Sequence, residues 1–269
     1  METTLHPRHF VAATDESEAG RQAVRSARAL AARAGGRVTV LRVLPLDDCE
    51  DPLAIEQLRR WVESDLPPLA SSPPITYAVA YGLPGIEIPR FAEQAHADLL
   101  VLGRPPRTRA ARLLLGDTAD AVARRSRVPC LFICPRGSAI RDFLVAVEGS
   151  ERGMVVLRVA RALAREVHAE LRLITVDPPY QGEPDHLAVA TPSARSERLG
   201  SHVRQTLGQE LEVRRGEAAQ EILGAVSEHL PDVLVLGCHR GGPAGVIEAG
   251  SVARRLIHAA PCAVLTVPL

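Results

Sequence analysis

AYGLPGIEIPRFAEQAHADLLVLG, residues 80–103, returns as RRGEAAQEILGAVSEHLPDVLVLG, residues 214–237. Each copy runs through apolar positions spaced three and four apart, the period of a helix, and closes on an unbroken apolar run, DLLVLG or DVLVLG, the signature of a strand covered on both faces. Working outward, VTVLRVLP (38–45) is answered by LRLITVDP (171–178), and HFVAATDESEAG (9–20) by FLVAVEGSERG (143–153). On the other side, SRVPCLFICP (126–135) is answered by AAPCAVLTVP (259–268). Pieces kept in one order over the full length mean tandem duplication. The expected domains are 1–138 and 139–269, joined near residues 136–142.

Within each copy short apolar or β-branched runs alternate with helical segments, so the fold class is α/β, with five parallel strands per copy and right-handed helical crossovers. Residues 17–34 place Ala23, Val24, Ala27, Leu30 and Ala31 on one face, with Ser17 as N-cap. Residues 51–66 do the same with Leu53, Ile55, Leu58, Trp61 and Val62. Residues 178–198, rich in Pro, Ser and Gly, read as a surface loop before a helix over 199–208. Strand five of each copy is apolar to its end and lies at a sheet edge, which should be covered by pairing between the copies or between two chains. A homodimer is the expectation.

Composition excludes several functions. Lys+Arg and Asp+Glu both total 32, so no basic field exists to hold nucleic acid or an anionic membrane surface. Every cation is Arg, with no Lys to serve as a Schiff-base nucleophile or phosphate-loop cation. No membrane span or secretory signal is legible, so a cytoplasmic location is expected. Five cysteines, Cys49, Cys130, Cys134, Cys238 and Cys262, form no CxxC pair and read as reduced thiols packed in the core. There is no G-x-S-x-G, HExxH or G-x-x-x-x-G-K-[ST] sequence, and no spaced ligand set for a metal, so no catalytic residue can be named.

In an open parallel sheet, ligands bind beyond the carboxyl ends of the strands where the strand order reverses. Two features should meet there in each copy. One is the acidic turn after strand one, Thr14-Asp15-Glu16-Ser17 or Val147-Glu148-Gly149-Ser150. The other is the loop after strand four, from Gly103 to Gly116-Asp117-Thr118 or from Gly237 to Gly250-Ser251-Val252. Glycine lets the backbone approach a ligand closely, and the free N–H groups of a helix start favour a phosphate.

These loops resemble those of the universal stress protein A family, and the resemblance covers nearly the whole chain. It implies two tandem open parallel five-stranded sheets of order 3-2-1-4-5 with helices on both faces, an adenine-nucleotide alpha-hydrolase-like (Rossmann-like) fold. ATP-binding members of the family carry G-x2-G-x9-G-[ST] after strand four and an Asp after strand one. The second copy reads Gly237-Cys-His-Arg240, nine residues, then Gly250-Ser251, losing only the second Gly. The first reads Gly103-Arg-Pro-Pro106, nine residues, then Gly116-Asp117, so Pro106 removes a donor and Asp117 sets negative charge where phosphate should sit. The resemblance thus implies a nucleotide site in the second copy: Glu148 at sugar or base, the backbone near Val176 at the base, and Leu236, Gly237, Arg240, Gly250, Ser251 and Val252 around the phosphates. Arg240 either clamps a phosphate or fills the pocket, and His239 beside it reads as a loop-surface side chain. In the first copy Asp15, Gly103, Gly116 and Thr118 mark an empty or altered site. The implied protein is a regulatory stress-response protein, not an enzyme, that binds ATP or another adenine nucleotide in the second domain, with Mg2+ only when ATP is bound. A nucleotide-independent scaffold acting by dimerisation is the alternative reading, and a weak ATP hydrolase a third.

Overall fold

The structure is a computed structural model that describes residues 7–48, 51–65, 72–104, 116–134, 140–179, 192–238 and 251–269. The first half contributes β1 (His9–Thr14), α1 (Glu18–Ala34), β2 (Arg37–Leu44), α2 (Ala54–Asp65), β3 (Ile75–Tyr81), α3 (Pro84–Gln94), β4 (Leu99–Gly103), α4 (Gly116–Arg125) and β5 (Cys130–Ile133). The second contributes β6 (Asp142–Ala146), α5 (Glu151–Val167), β7 (Glu170–Asp177), α6 (Ala194–Leu207), β8 (Leu211–Arg215), α7 (Ala218–His229), β9 (Val233–Cys238), α8 (Ser251–Ala259) and β10 (Ala263–Pro268). The boundary expected at 138/139 falls outside the described residues.

Each half is parallel in the order 3-2-1-4-5, as the resemblance implied, but the two are not separate sheets. They form one ten-stranded sheet, β3-β2-β1-β4-β5-β10-β9-β6-β7-β8. The seam is the antiparallel pair β5·β10, with Cys130 opposite Thr266, Leu131 opposite Leu265 and Phe132 opposite Val264. The edge that called for covering is thus covered within the chain, which leaves β3 and β8 as the outer strands.

Successive residues of each inner strand face opposite layers, and both layers are apolar. From β1, Phe10 and Ala12 face the layer that holds α1, α2, α5 and α6, while Val11 and Ala13 face the layer that holds α3, α4, α7 and α8. Each core runs unbroken across the seam. Helix α1 forms because its apolar stripe returns every three or four residues: Ala23, Val24, Ala27, Leu30 and Ala31 are all buried. Ser17 caps it by accepting from the Gly20 N–H at 3.2 Å, and Gly35 closes it in the left-handed conformation. The second copy repeats this start, with Ser150 accepting from Gly153 at 3.2 Å.

Two local readings are corrected. Leu53 and Ile55 were expected on the buried face of α2, but they are 59% and 52% exposed. The buried stripe is Ala54, Leu58 and Val62, four apart. Leu53 precedes the helix, and Ile55 is turned about 100° away from that stripe. Helix α6 begins at Ala194 rather than 199, because Ser193 caps it by accepting from Ser196 N–H at 3.2 Å.

Half-buried carboxylates fix the strand starts in both copies. Asp98 accepts from the Arg8 and His9 N–H groups, each at 2.8 Å, and Asp232 accepts from Arg141 and Asp142 at 2.8 and 3.1 Å. The Asp that opens each -VLG strand therefore ties strand four to strand one. That places their carboxyl ends side by side.

Candidate functional site

Two cavities sit at those carboxyl ends, one per copy. The first, about 430 Å³, is walled by Leu41, Val43, Ile88 and Leu102 and carries Thr14, Asp15, Ser17, Gly103 and Thr118 among its lining residues. The second, about 400 Å³, is walled by Val156, Ile174, Leu256 and Leu269 and carries Glu148, Val176, Arg195, Leu236, Gly237 and Val252. Both fall within the range of about 300–1,000 Å³ used by small-molecule sites. The first turn of α4 (Thr118, Ala119) lines the first cavity and the first turn of α8 (Val252, Ala253) the second, so each is faced by a helix N-terminus.

The structure therefore gathers Glu148, Val176, Leu236, Gly237 and Val252 around one cavity, and Asp15, Gly103 and Thr118 around the other. Gly116 and Ser251 open α4 and α8. Arg240, Gly250, His239 and Pro106 lie outside the described residues, as do the side chains of Asp117 and Ser251.

The charges differ between the copies. In the first, the acidic turn is self-contained: Asp15 Oδ1 accepts from the Ser17 N–H at 3.1 Å, and Glu16, at φ 63°, pairs with Arg42 at 2.8 Å. In the second, Glu148 faces Arg195 across the cavity mouth at 3.3 Å. Arg195 was not foreseen because its segment reads as loop. The legible signal was Ser193-Ala-Arg-Ser196-Glu197, a cap followed by an acidic first turn.

What holds Arg195 there is Asp177, 4% exposed at the end of β7. It accepts from Ser193 N–H at 2.7 Å, Ser193 Oγ at 2.5 Å and Ser196 Oγ at 2.7 Å. Burial alone would raise the Asp177 carboxyl, but the Ser193 and Ser196 hydrogen bonds and the Arg215 charge outweigh it and hold it below the ordinary 3.8. A carboxyl lowered on folding stabilises the fold above its unfolded value, and that contribution is lost as pH falls through the lower folded value. We expect Asp177→Ala to cost about 1–2 kcal/mol near neutrality, the worth of a lost cap network. Urea titrations at stepped pH should show the gap between unaltered protein and variant closing below pH 3.8; a gap independent of pH in that range would refute the assignment.

The family loop's first glycine has a different job in each copy. Neither Gly103 nor Gly237 has positive φ. A Cβ on Gly103 would stand 1.9 Å from the Ala19 carbonyl oxygen, so this glycine admits α1 against β4. A Cβ on Gly237 would meet only the Leu269 and Val156 side-chain ends, at 2.5 and 3.2 Å.

The next residue was also missed by sequence reading. Arg104, buried at 7% exposure, reaches across the seam and donates to the Ile257, Ala260 (3.0 Å) and Cys262 (2.6 Å) carbonyls at the end of α8. Cys238 mirrors it, its thiol donating to the Ala123 carbonyl at 3.4 Å. Asp120 of α4 adds a third link by accepting from Arg254 at 2.7 Å and His258 at 3.0 Å in α8.

Among the described residues one group brings metal-ligand atoms together, Glu212, Glu228 and His229, within 4.8 Å of one another. Arg214 lies between the two carboxylates, at 2.5 Å from each, and His229 lies 2.7 Å from Glu212. An ion-pair network accounts for the group without a metal. No described helix is long and apolar enough to cross a membrane.

The comparisons with known proteins agree with this architecture. A crystal structure of a universal stress protein from Archaeoglobus fulgidus aligns over 100% of this chain and 99% of its own, at 18% identity and a TM-score of 0.69. A functionally unknown protein of Pseudomonas aeruginosa PAO1 aligns over 100% of this chain and 95% of its own, at 16% identity and a TM-score of 0.73. Those likenesses show the fold. In sequence, a universal stress protein of Methanocaldococcus jannaschii is 40% identical over 52 residues, 19% of this chain; the match spans 31% of that relative's length. The universal stress protein family profile matches twice, over residues 7–133 and 139–268. With nearly the whole sequence matched in two successive copies, the chain belongs to the universal stress protein family.

Proposed function

We propose that this universal stress protein is a regulatory protein of two domains, 1–138 and 139–269, that binds an adenine nucleotide in the second-domain cavity. The observation that carries the reading is the second cavity's combination of groups. An apolar wall of Ile174, Val176 and Leu256 suits a base, the Glu148 carboxylate can accept from ribose hydroxyls, and the first turn of α8 together with Arg195 offers positive potential to phosphates. Among the described residues that line it, the first cavity has Asp15 and no cation, and Asp117 adds a carboxylate at the start of α4 that disfavours a triphosphate. The second-cavity reading gains from the resemblance of the second loop, Gly237 through Ser251, to the family's ATP-binding pattern. A homodimer would need a surface other than strand five, since β5 pairs with β10.

Calorimetric titration of ATP and Mg2+ into the full chain should give saturable binding of one nucleotide per chain, lost in Gly250→Arg. No saturable heat from the unaltered chain would end the nucleotide reading and leave the scaffold. ADP release that copurifies with the chain and disappears in the same variant would instead establish a hydrolase.

A further inference from the structure

The antiparallel seam carries two cysteines toward each other. Continuing the register of Phe132 with Val264 by two residues sets Cys134, just past β5, opposite Cys262, just before β10. Directly opposed residues on antiparallel strands have Cα atoms about 4.5–5.5 Å apart and project from the same face. That separation lies inside the window of about 4.4–6.8 Å that a disulfide requires. The contacts agree, because the Cys134 thiol donates to the Pro261 carbonyl, immediately before Cys262, at 3.5 Å. Both cysteines line a third cavity, of about 230 Å³, between the two halves, together with Ile133, Ile140, Pro261 and Ala263.

We infer that Cys134 and Cys262 are a peroxide-sensitive pair that forms a disulfide across the seam, linking the two halves of the sheet covalently. Hydrogen peroxide supplies the oxidising equivalents. The Cys134 thiolate attacks one peroxide oxygen, the O–O bond breaks, and Cys134 becomes a sulfenic acid as hydroxide leaves and takes up the proton the thiol gave up, forming the first water. The Cys262 sulfur then attacks the sulfenic sulfur, the S–O bond breaks, and the second water leaves with the remaining proton. Two thiols lose two electrons and the peroxide gains them. The order follows from access. Cys134 is half-buried and open to the cavity, whereas Cys262 is 7% exposed and burial pushes its thiol up to about 11. Arg104, which donates to the Cys262 carbonyl at 2.6 Å, pulls that thiol in the opposite direction and assists the second step. Cys130 and Cys238 lack such an arrangement. Cys130 faces Thr266 across the seam and burial pushes its thiol up to about 12, while the Cys238 thiol is committed to the Ala123 carbonyl.

The test is a peptide map of the full chain, treated with hydrogen peroxide, alkylated without reduction and cleaved with trypsin. Cleavage after Arg127, Arg136 and Arg255 gives peptides 128–136 and 256–269, and these should appear joined, with two of the five thiols lost. The linked species should vanish on reduction and in Cys134→Ser, and persist in Cys130→Ser, which shares the first peptide. The chain should remain monomeric in mass through this step. Recovery of Cys134 alkylated, its recovery as sulfinic acid beside an alkylated Cys262, a link that survives Cys134→Ser, or a link between two chains would each overturn the inference.

Discussion

Gly103→Ala should destabilise the protein by about 3 kcal/mol or more, while the equivalent change in the other copy, Gly237→Ala, should cost less than about 1 kcal/mol. The two glycines hold the same place in the duplicated loop, and only their surroundings differ. At Gly103 the new methyl would enter the backbone of α1, 1.9 Å from the Ala19 oxygen and 2.2 Å from its carbonyl carbon. Backbone cannot rotate aside. The first turn of α1 would have to lift from β4, carrying the buried Ala23 and Val24 with it. At Gly237 the methyl would meet the tip of Leu269, which has other rotamers. Urea denaturation should resolve the difference as a large fall in midpoint for one variant and a small one for the other at unchanged slope. Nucleotide binding should divide the pair the opposite way. Gly237→Ala displaces the tip of Leu269, which lines the second cavity, and should weaken the proposed ATP binding, whereas the nearest neighbours of Gly103→Ala are backbone atoms of Ala19, outside that cavity. Equal stability losses would show that α1 is not held against Gly103 as described.

Arg104→Met should also lower stability by about 3 kcal/mol. Three carbonyls, those of Ile257, Ala260 and Cys262, lose their donor at once. Each buried acceptor left without a partner costs about 1–3 kcal/mol, partly offset because the variant no longer buries a charge. Methionine keeps the apolar volume, so the loss measures the guanidinium rather than a cavity. Arg104→Lys should restore only part of it, since one ammonium cannot match a planar fork with several fixed donors. Because the Ile257 and Ala260 carbonyls lie at the C-terminal end of α8 and α8 walls the second cavity, Arg104→Met should weaken the proposed ATP binding from across the seam. A variant as stable as the unaltered chain would mean that the α8 terminus is satisfied without Arg104.

These predictions depart from what the residues alone suggest. In sequence, Gly103 and Gly237 are indistinguishable as loop glycines that let backbone approach a ligand. Both line cavities, and only the distance to Ala19 separates a glycine held against backbone from one that meets side-chain ends. Arg104 reads as an unremarkable loop cation because its partners lie more than 150 positions away in the chain. Arg195 was hidden for a local reason: a Pro- and Ser-rich approach masked the helix start that Ser193 and Asp177 create together. The same absence of long-range information placed Leu53 and Ile55 on the wrong side of α2. Periodicity gives a stripe, but the sheet decides which edge of that stripe is covered.

The sequence by itself determined the duplication, the α/β alternation and the order of elements. Those follow from local periods and from a repeat that can be read by shifting the chain along itself. Tertiary structure alone decided that the strand-five edges pair with each other, that one loop glycine is held against backbone and the other meets side-chain ends, and that Arg104 binds the far copy. The physical reason is common to all three. An edge, a glycine or a buried cation is defined by what lies against it, and here each neighbour comes from a part of the chain that no local pattern connects to it.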